Sequence, residues 1–196
     1  MRMLVLSRNG SLYSTSRILR TARARGHDVD LVDPLDLSVA VSSDARLVTL
    51  DGAPLPPYRI AIPRIGTSVT RYGMVVLRHL EQVGVLPLNG AEAVSATRDK
   101  IGSLSVLAGR GLPVPTSVCL RSTAGLDAAL ETVGGPPAII KLQAGTQGLG
   151  TIVAESRNAV VSTVETLLAM GHEVILQTFV REARGRDQRL FVVGRR

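Results

Sequence analysis

The chain has 196 residues, which is enough for one large or two small domains with apolar cores. Hydrophobic residues make up 45% of it and charged residues 20%, and no apolar run reaches the roughly 18 residues of a membrane-spanning helix. The amino terminus becomes polar too early for a secretory signal. Because Cys119 is the single cysteine, the chain cannot form an internal disulfide, and we expect this thiol to be buried. We therefore expect a cytoplasmic protein with no membrane partner.

The net charge of +7 is concentrated near the carboxyl-terminal end of the sequence. Residues 181–196 contain six arginines and two acidic residues, so this stretch alone carries +4. A basic stretch can indicate a nucleic-acid partner, but aromatic residues, on which unpaired bases stack, are only 3% of the chain. We expect no direct nucleic-acid partner. A basic nucleic-acid binder stays as an alternative that predicts steep salt dependence.

The hydrophobic pattern of the first half predicts an α/β fold with a β-α-β opening, which favours a doubly wound sheet. In chain order it predicts strands at 3–7, 28–33, 45–50, 59–64 and 85–88, and helices at 14–25, 69–82, 91–96 and 99–110. The Asp51–Gly52 pair predicts the turn of a small hairpin. Glycines at 26, 84 and 111 are placed to end helices.

The second half predicts a further α/β region after a linker, with a domain boundary between residues 95 and 115. Strands are predicted at 117–120, 138–142, 151–155, 173–180 and 189–193, and helices at 122–133 and 158–170. We place domains at 1–95 and 96–196. The last strand would leave an exposed edge, so formation of a homo-oligomer, or aggregation, is expected.

Lysine is rare in this chain, because 21 of the 23 basic residues are arginine and only Lys100 and Lys141 are lysine. An ammonium is a compact charge on a flexible stem, which suits a phosphate oxygen. Lys141 interrupts an apolar strand, where it needs an anionic partner or a route to solvent. Lys100 begins a helix, where the helix dipole favours an anion. Both positions favour an anionic ligand; an edge-strand lysine and a solvated lysine are the alternatives.

A glycine-rich loop follows Lys141 and lies between two predicted strands. Its residues are Gly145, Thr146, Gln147, Gly148, Leu149 and Gly150. A Walker loop ends in Gly-Lys-Ser/Thr and a dinucleotide fingerprint leads into a helix, so neither motif fits. Glycines bring backbone N–H groups close to an anion, which favours a flap over phosphates. An ordinary hairpin loop is the alternative.

Two later features are candidates for contact with the rest of a nucleotide. Gln177, Thr178, Phe179 and Val180 end a predicted strand and can form a hinge whose backbone reads an adenine edge, or can be plain core strand. Asp187 can accept from a ribose hydroxyl or pair with a neighbouring arginine.

Five segments, taken in order, resemble the RimK family of ATP-grasp ligases across essentially the whole chain. They are LSRNGSLYS (6–14), IPRIGTSVTRYG (62–73), LNGAEAVSATRDK (88–100), IIKLQAGTQGLG (139–150) and ILQTFVREARGRDQRLFVVG (175–194). The resemblance implies an α/β fold: a pre-ATP-grasp domain followed by the first, flap-bearing ATP-grasp subdomain, with the C-terminal ATP-grasp part missing. It implies that Lys100 and Lys141 contact phosphate, that residues 145–150 form the flap, that residues 177–180 read adenine and that Asp187 contacts the nucleotide.

The resemblance also implies a reaction, in which a carboxylate and ATP form an acylphosphate with Mg²⁺ (or Mn²⁺), and the amine of glutamate then attacks it to give an amide and ADP. The acceptor would be the C-terminus of a ribosomal protein or a small-molecule carboxylate. Thr178 stands where the family usually has an acidic residue, and a hydroxyl accepts more weakly from the adenine amino group.

No catalytic residue is assigned from the sequence. The metal ligands of the family lie beyond Arg196, so this chain alone is expected to be an inactive portion of the ligase. The alternative is a non-catalytic nucleotide-binding or ribosome-associated remnant.

Overall fold

A computed structural model describes residues 1–43, 46–143, 150–183, 186, 188, 190–192 and 194 of the chain. The chain divides into two compact units, Met1–Arg98 and Asp99–Arg196. The first unit contains two sheets and two apolar cores, and the second contains one sheet and one apolar core among its described residues. Within the described residues, no helix has the length and apolar character needed to cross a membrane.

The first unit alternates strands with helices. Its strands are β1 (Arg2–Leu6), β2 (Asp28–Val32), β3 (Leu37–Val41), β4 (Arg46–Leu50), β5 (Ala53–Pro54), β6 (Ile60–Pro63) and β7 (Leu86–Pro87). Its helices are α1 (Tyr13–Ala24), α2 (Thr70–Gln82) and α3 (Ala91–Arg98), with short 3-10 turns at Pro34–Asp36 and Thr67–Val69. Gly26 and Gly84, at φ 73° and 90°, follow α1 and α2, where the sequence predicted these helices to end.

Four parallel strands form the main sheet of the first unit, in the order β2-β1-β6-β7. Successive side chains of β1 enter different cores: Leu4 and Leu6 belong to the core that includes α2, and Met3 and Val5 to the core that includes α1. Because both faces are covered, β1 is a continuous apolar run, as buried parallel strands are. The expected doubly wound arrangement is therefore present.

A second, three-stranded antiparallel sheet in this unit has the order β3-β4-β5. The two-residue turn between β4 and β5 is Asp51–Gly52, with φ values of 51° and 78°. Positive φ at both central residues is what the right-handed twist of a tight hairpin requires, and Asp-Gly tolerates it. The predicted hairpin is present, while β3 is an element that the sequence pattern did not predict.

The second unit contains one antiparallel sheet and three α-helices among its described residues. Its elements are α4 (Lys100–Ala108), β8 (Ser117–Leu120), α5 (Leu126–Thr132), β9 (Ala138–Leu142), β10 (Thr151–Ala154), α6 (Arg157–Ala169) and β11 (Val174–Thr178), with 3-10 turns at Thr123–Gly125 and Arg181–Ala183. The strand order is β10-β9-β11-β8, so β9 and β11 are the inner strands.

The two faces of this sheet differ in character. One face packs against α5 and α6 in a core that includes Ile140, Leu176 and Val160. Side chains alternate along a strand, so the neighbouring positions Lys141 and Gln177 lie on the opposite face. The face away from α5 and α6 therefore carries Lys141 and Gln177.

The strand predicted at 189–193 is not seen in the residues that the structure describes there. Leu190, Phe191 and Val192 belong to no strand, and the first two are 87% and 85% exposed. A strand needs a neighbour for its backbone groups, and no described strand pairs with this segment. The strand prediction was therefore wrong for residues 190–192, and the homo-oligomer expected from its exposed edge stays a prediction.

Candidate functional site

Lys141 lies in the inner strand β9, with its side chain half-buried on the face opposite α5 and α6. Its register partner on β11 is Ile175, so Gln177 is its diagonal neighbour on the same face. The Lys141 ammonium donates to Gln177 Oε1 at 2.6 Å. Burial lowers the pKa of Lys141 from its ordinary value, because a desolvated ammonium is costly.

The partner of Lys141 is held in turn by a chain of hydrogen bonds. Gln177 is 6% exposed, and its Nε2 donates to Ser117 Oγ at 2.7 Å across the β11–β8 pair. The Ser117 hydroxyl donates onward to the Pro115 carbonyl at 2.9 Å. Both ends of the buried amide are therefore satisfied, and its oxygen faces Lys141.

Lys100, the first residue of α4, reaches the carboxyl end of β9. Its Nζ donates to the Leu142 carbonyl at 2.7 Å and to the Gln143 carbonyl at 3.0 Å. The pKa of Lys100 is lowered first by burial and then by the positive charge of Lys141. The hydrogen bonds of Lys100 therefore place its ammonium at the end of β9 that directly follows Lys141.

Asp99 ties the start of α4 to the same end of β9. As the N-cap of α4, its carboxylate accepts from the Gly102 N–H at 2.8 Å, and it also accepts from Gln143 Nε2 at 2.5 Å. These bonds, with the Gly102 bond the larger cause, hold the pKa of Asp99 below its ordinary value. Neither Asp99 nor Gln143 was predicted to have a role, although Asp before a helix is a recognisable cap signal.

Gln143 has one further feature. Its Oε1 is buried and accepts no hydrogen bond from the part of the chain that is described. Buried acceptors normally have a partner, so this oxygen is able to accept from a hydroxyl, an amine or water.

The glycine loop joins two paired strands. Lys141 lies opposite Thr151, and the Leu142 N–H donates to the Gly150 carbonyl at 3.3 Å, so the loop begins and ends beside Lys141. Gly150 has φ 82°, and a Cβ there would lie 3.1 Å from the Leu142 side chain, so the position requires glycine. Five predicted flap residues, Gly145, Thr146, Gln147, Gly148 and Leu149, lie outside the described residues.

The predicted hinge divides into two parts. Gln177 and Thr178 belong to β11, and the Thr178 N–H donates to the Thr116 carbonyl at 2.9 Å. The Thr178 hydroxyl donates to the Val133 carbonyl at 2.9 Å, which leaves its lone pairs as acceptors. Phe179 and Val180 follow the end of the strand, and Val180 is exposed. Asp187, the predicted ribose contact, lies outside the described residues.

The described residues bring together no group of three or more His, Cys, Asp or Glu side chains that could hold a metal ion.

Cys119 differs from its prediction, because the thiol is exposed rather than buried. It lies on the edge strand β8 at a position that faces away from α5 and α6, so the helices do not cover it. The neighbouring atoms still remove part of its solvent, and this partial burial, followed by the charges of Glu173 and Asp99, raises the pKa of the thiol.

Two family models match the chain almost end to end. Residues 1–94 match the RimK PreATP-grasp domain and residues 97–196 match the RimK-like ATP-grasp domain. A protein of Hydrogenovibrio crunogenus named probable alpha-L-glutamate ligase is 42% identical over 194 residues, covering 99% of this chain and 64% of the relative. A protein of the same name from Aliivibrio fischeri is 41% identical with the same coverage. The chain thus spans about 64% of the length of these relatives.

Solved structures show the same fold at lower identity. A RimK domain ATP-grasp protein of Sphaerobacter thermophilus superposes with a TM-score of 0.70 at 23% identity, over 92% of this chain and 64% of the other. D-alanyl-alanine synthetase A of Vibrio cholerae gives 0.68 at 17% identity, over 92% and 59%. The expected α/β architecture, a pre-ATP-grasp domain followed by an ATP-grasp portion, is confirmed. The chain belongs to the RimK family of ATP-grasp proteins.

Proposed function

We propose that this chain is the nucleotide-binding portion of an ATP-dependent ligase that joins glutamate to a carboxylate. The relatives named probable alpha-L-glutamate ligase, at 42% and 41% identity, support the reaction class and the amino acid. The observation that carries the proposal is the approach of two ammonium groups, Lys100 and Lys141, at the end of β9 from which the glycine loop starts.

This arrangement fits a phosphate chain. Within the described residues, no acidic side chain forms an ion pair with Lys141, and its hydrogen-bond partner is a neutral amide. Burial disfavours the charged form of both lysines and lowers their pKa values. An anion placed between the two ammonium groups would stabilise their charged form. Phosphate oxygens supply that charge, and glycine-loop N–H groups from residues 145–150 would add hydrogen bonds to it.

The base would lie near the end of β11. The backbone of Gln177 and Thr178 is paired within the sheet, so adenine recognition would fall to the backbone of Phe179 and Val180 and to the lone pairs of the Thr178 hydroxyl. A hydroxyl that already donates elsewhere is a weaker acceptor than a carboxylate. We therefore expect the site to discriminate only modestly between adenine and a base that lacks its amino group. Asp187 would contact the ribose.

Mg²⁺ or Mn²⁺ accompanies the nucleotide in the proposed reaction. The ATP-grasp ligase PsnB, whose fold matches with a TM-score of 0.61 at 21% identity over 91% of this chain and 65% of that one, was solved with a minimal precursor, Mg and ADP. The described residues of this chain bring together no group of three or more His, Cys, Asp or Glu side chains for such an ion. The proposed acceptor is a ribosomal protein C-terminus or a small-molecule carboxylate.

Nucleotide binding to the 196-residue chain tests the proposal without requiring turnover. Isothermal titration with ADP should give saturable binding that Lys141→Ala weakens by about tenfold or more, the range expected for loss of a charged hydrogen bond. Arg110→Ala removes an exposed positive charge from the same unit and is the matched control. Equal ADP affinity in the parent and Lys141→Ala chains would contradict the proposal. ADP release from ATP with glutamate and a candidate acceptor, measured on the full-length protein, then separates a ligase from a nucleotide-binding remnant.

A further inference from the structure

Gln177 has an amide whose orientation is fixed by its neighbours. The single hydroxyl proton of Ser117 is directed to the Pro115 carbonyl at 2.9 Å, so Ser117 Oγ offers lone pairs to the amide. Only the NH₂ end of an amide can donate to them, which it does at 2.7 Å. The opposite end, Oε1, is therefore turned to Lys141, at 2.6 Å from its Nζ.

The neutrality of this acceptor matters as much as its position. A carboxylate at the same place would form a half-buried ion pair with Lys141 and cancel its charge. An amide oxygen gives the ammonium a hydrogen bond and fixes its place, yet leaves the positive charge uncompensated. Since Gln177 is 6% exposed, water does not easily replace it.

We infer that Gln177 is a positioning residue that holds the Lys141 ammonium in place while leaving its charge to bind a nucleotide phosphate. The inference rests on the proposed function, because it assigns Gln177 a part in nucleotide binding at the same site. Gln177 acts through Lys141, with Ser117 holding the amide in the orientation this requires.

The test compares ADP with adenosine, which lacks the phosphates. Gln177→Glu places a carboxylate beside Lys141, and Gln177→Met removes the acceptor at similar volume. Both variants should weaken ADP binding by about tenfold while adenosine binding stays within about twofold of the parent chain. Gln82→Glu adds the same charge at the exposed end of α2 and should change neither affinity.

Ser117→Ala keeps Gln177 but removes the hydrogen bond that orients it, so it tests the inference even if a substitution of the buried glutamine prevents folding. It should reduce ADP affinity less than Gln177→Glu does, again without changing adenosine affinity.

The outcomes separate this inference from the proposed function. If the parent chain does not bind ADP, or Lys141→Ala binds it as the parent does, the proposed function fails and the inference with it. If Lys141→Ala loses ADP while folded Gln177→Glu, Gln177→Met and Ser117→Ala chains bind it as the parent does, the inference alone is overturned. Equal losses of ADP and adenosine in the Gln177 variants would also overturn it, because they indicate a collapsed site.

Discussion

Lys100 donates from its ammonium to the carbonyl of Leu142 at 2.7 Å, joining the first residue of α4 to the last residue of β9. A second bond, to the Gln143 carbonyl at 3.0 Å, extends the contact one residue further towards the glycine loop. Leu142 follows Lys141 directly, so this connection brings both lysines to one end of the strand. Lys100 therefore contributes to the fold as well as to the proposed phosphate site.

Lys100→Met should lower both stability and nucleotide affinity. Loss of hydrogen bonds from a charged, half-buried donor is expected to reduce the free energy of unfolding by about 1–2 kcal/mol, measured by urea denaturation. Lys100→Arg keeps the charge but replaces the compact ammonium with a planar guanidinium group. Its ADP affinity should therefore lie between those of the parent chain and Lys100→Met. Unchanged stability in Lys100→Met would contradict the structural role.

Asp99 should stabilise the second unit through its carboxylate. Asp99→Ala removes the cap of α4 and the bond to Gln143, at an expected cost of about 1 kcal/mol near neutral pH. Asp99→Asn keeps an acceptor for Gly102 and should cost less. Both costs are measurable by urea denaturation.

The contribution of Asp99 should also depend on pH with a definite sign. Hydrogen bonds lower the folded-state pKa of Asp99, so its charge-dependent contribution is present above the unfolded pKa of about 4 and is lost as pH falls through the lower, folded value. The stability difference between the parent chain and Asp99→Ala should therefore shrink below about pH 4. A difference that grows on acidification would contradict this account.

Tyr58 should ionise at a higher pH than an ordinary tyrosine. Its hydroxyl donates to Asp30 Oδ2 at 2.7 Å, and burial followed by this bond raises the pKa of Tyr58 to about 12. Stabilisation by this raised pKa is fully present below the unfolded value of about 10 and is lost as pH rises towards 12.

Tyrosinate absorbance provides the measurement. One of the three tyrosines of the parent chain should ionise near pH 12, and this component should be missing in Tyr58→Phe. Tyr58→Phe should also lower the free energy of unfolding at neutral pH by about 1 kcal/mol, since Asp30 loses a donor. A late component that persists in Tyr58→Phe would refute the assignment.

Cys119 should react more slowly than an unperturbed thiol despite its exposure. Partial burial first, and then the negative charges of Glu173 and Asp99, raise the pKa of the thiol, so less thiolate is present at a given pH. The rate of alkylation by iodoacetamide at pH 8 should be lower in the folded chain than in urea. Glu173→Gln should increase the folded rate, whereas a folded rate equal to that in urea would contradict the prediction.

The strands of the site were predictable because each is a mainly apolar run that follows a chain-breaking residue: Pro137 directly precedes β9, and Gly171 lies shortly before β11. The predicted strand at 138–142 coincides with β9, and the one at 173–180 contains β11 (Val174–Thr178). By contrast β3 was missed, because Leu37 is the one buried side chain in its sequence LSVAV and the alternation there is weak.

The partner of Lys141 could not be predicted from local pattern. Gln177 is 36 positions away, and the contact depends on the antiparallel register that sets Lys141 opposite Ile175. The available signal was the presence of one long polar side chain in each of two otherwise apolar strands. The exposure of Cys119 likewise depends on strand order, because β8 is an edge strand only through its pairing with β11.

The most direct test of the central claim is an NMR titration of the lysine side chains. Because the chain contains only two lysines, labelling lysine with ¹³C at Cε gives two signals, one from Lys100 and one from Lys141. In the free chain both should titrate below the ordinary lysine pKa of 10.5. Saturating ADP should shift both signals and raise both pKa values, whereas adenosine should leave the pKa values where they are. ADP that binds without moving either lysine signal would contradict the account.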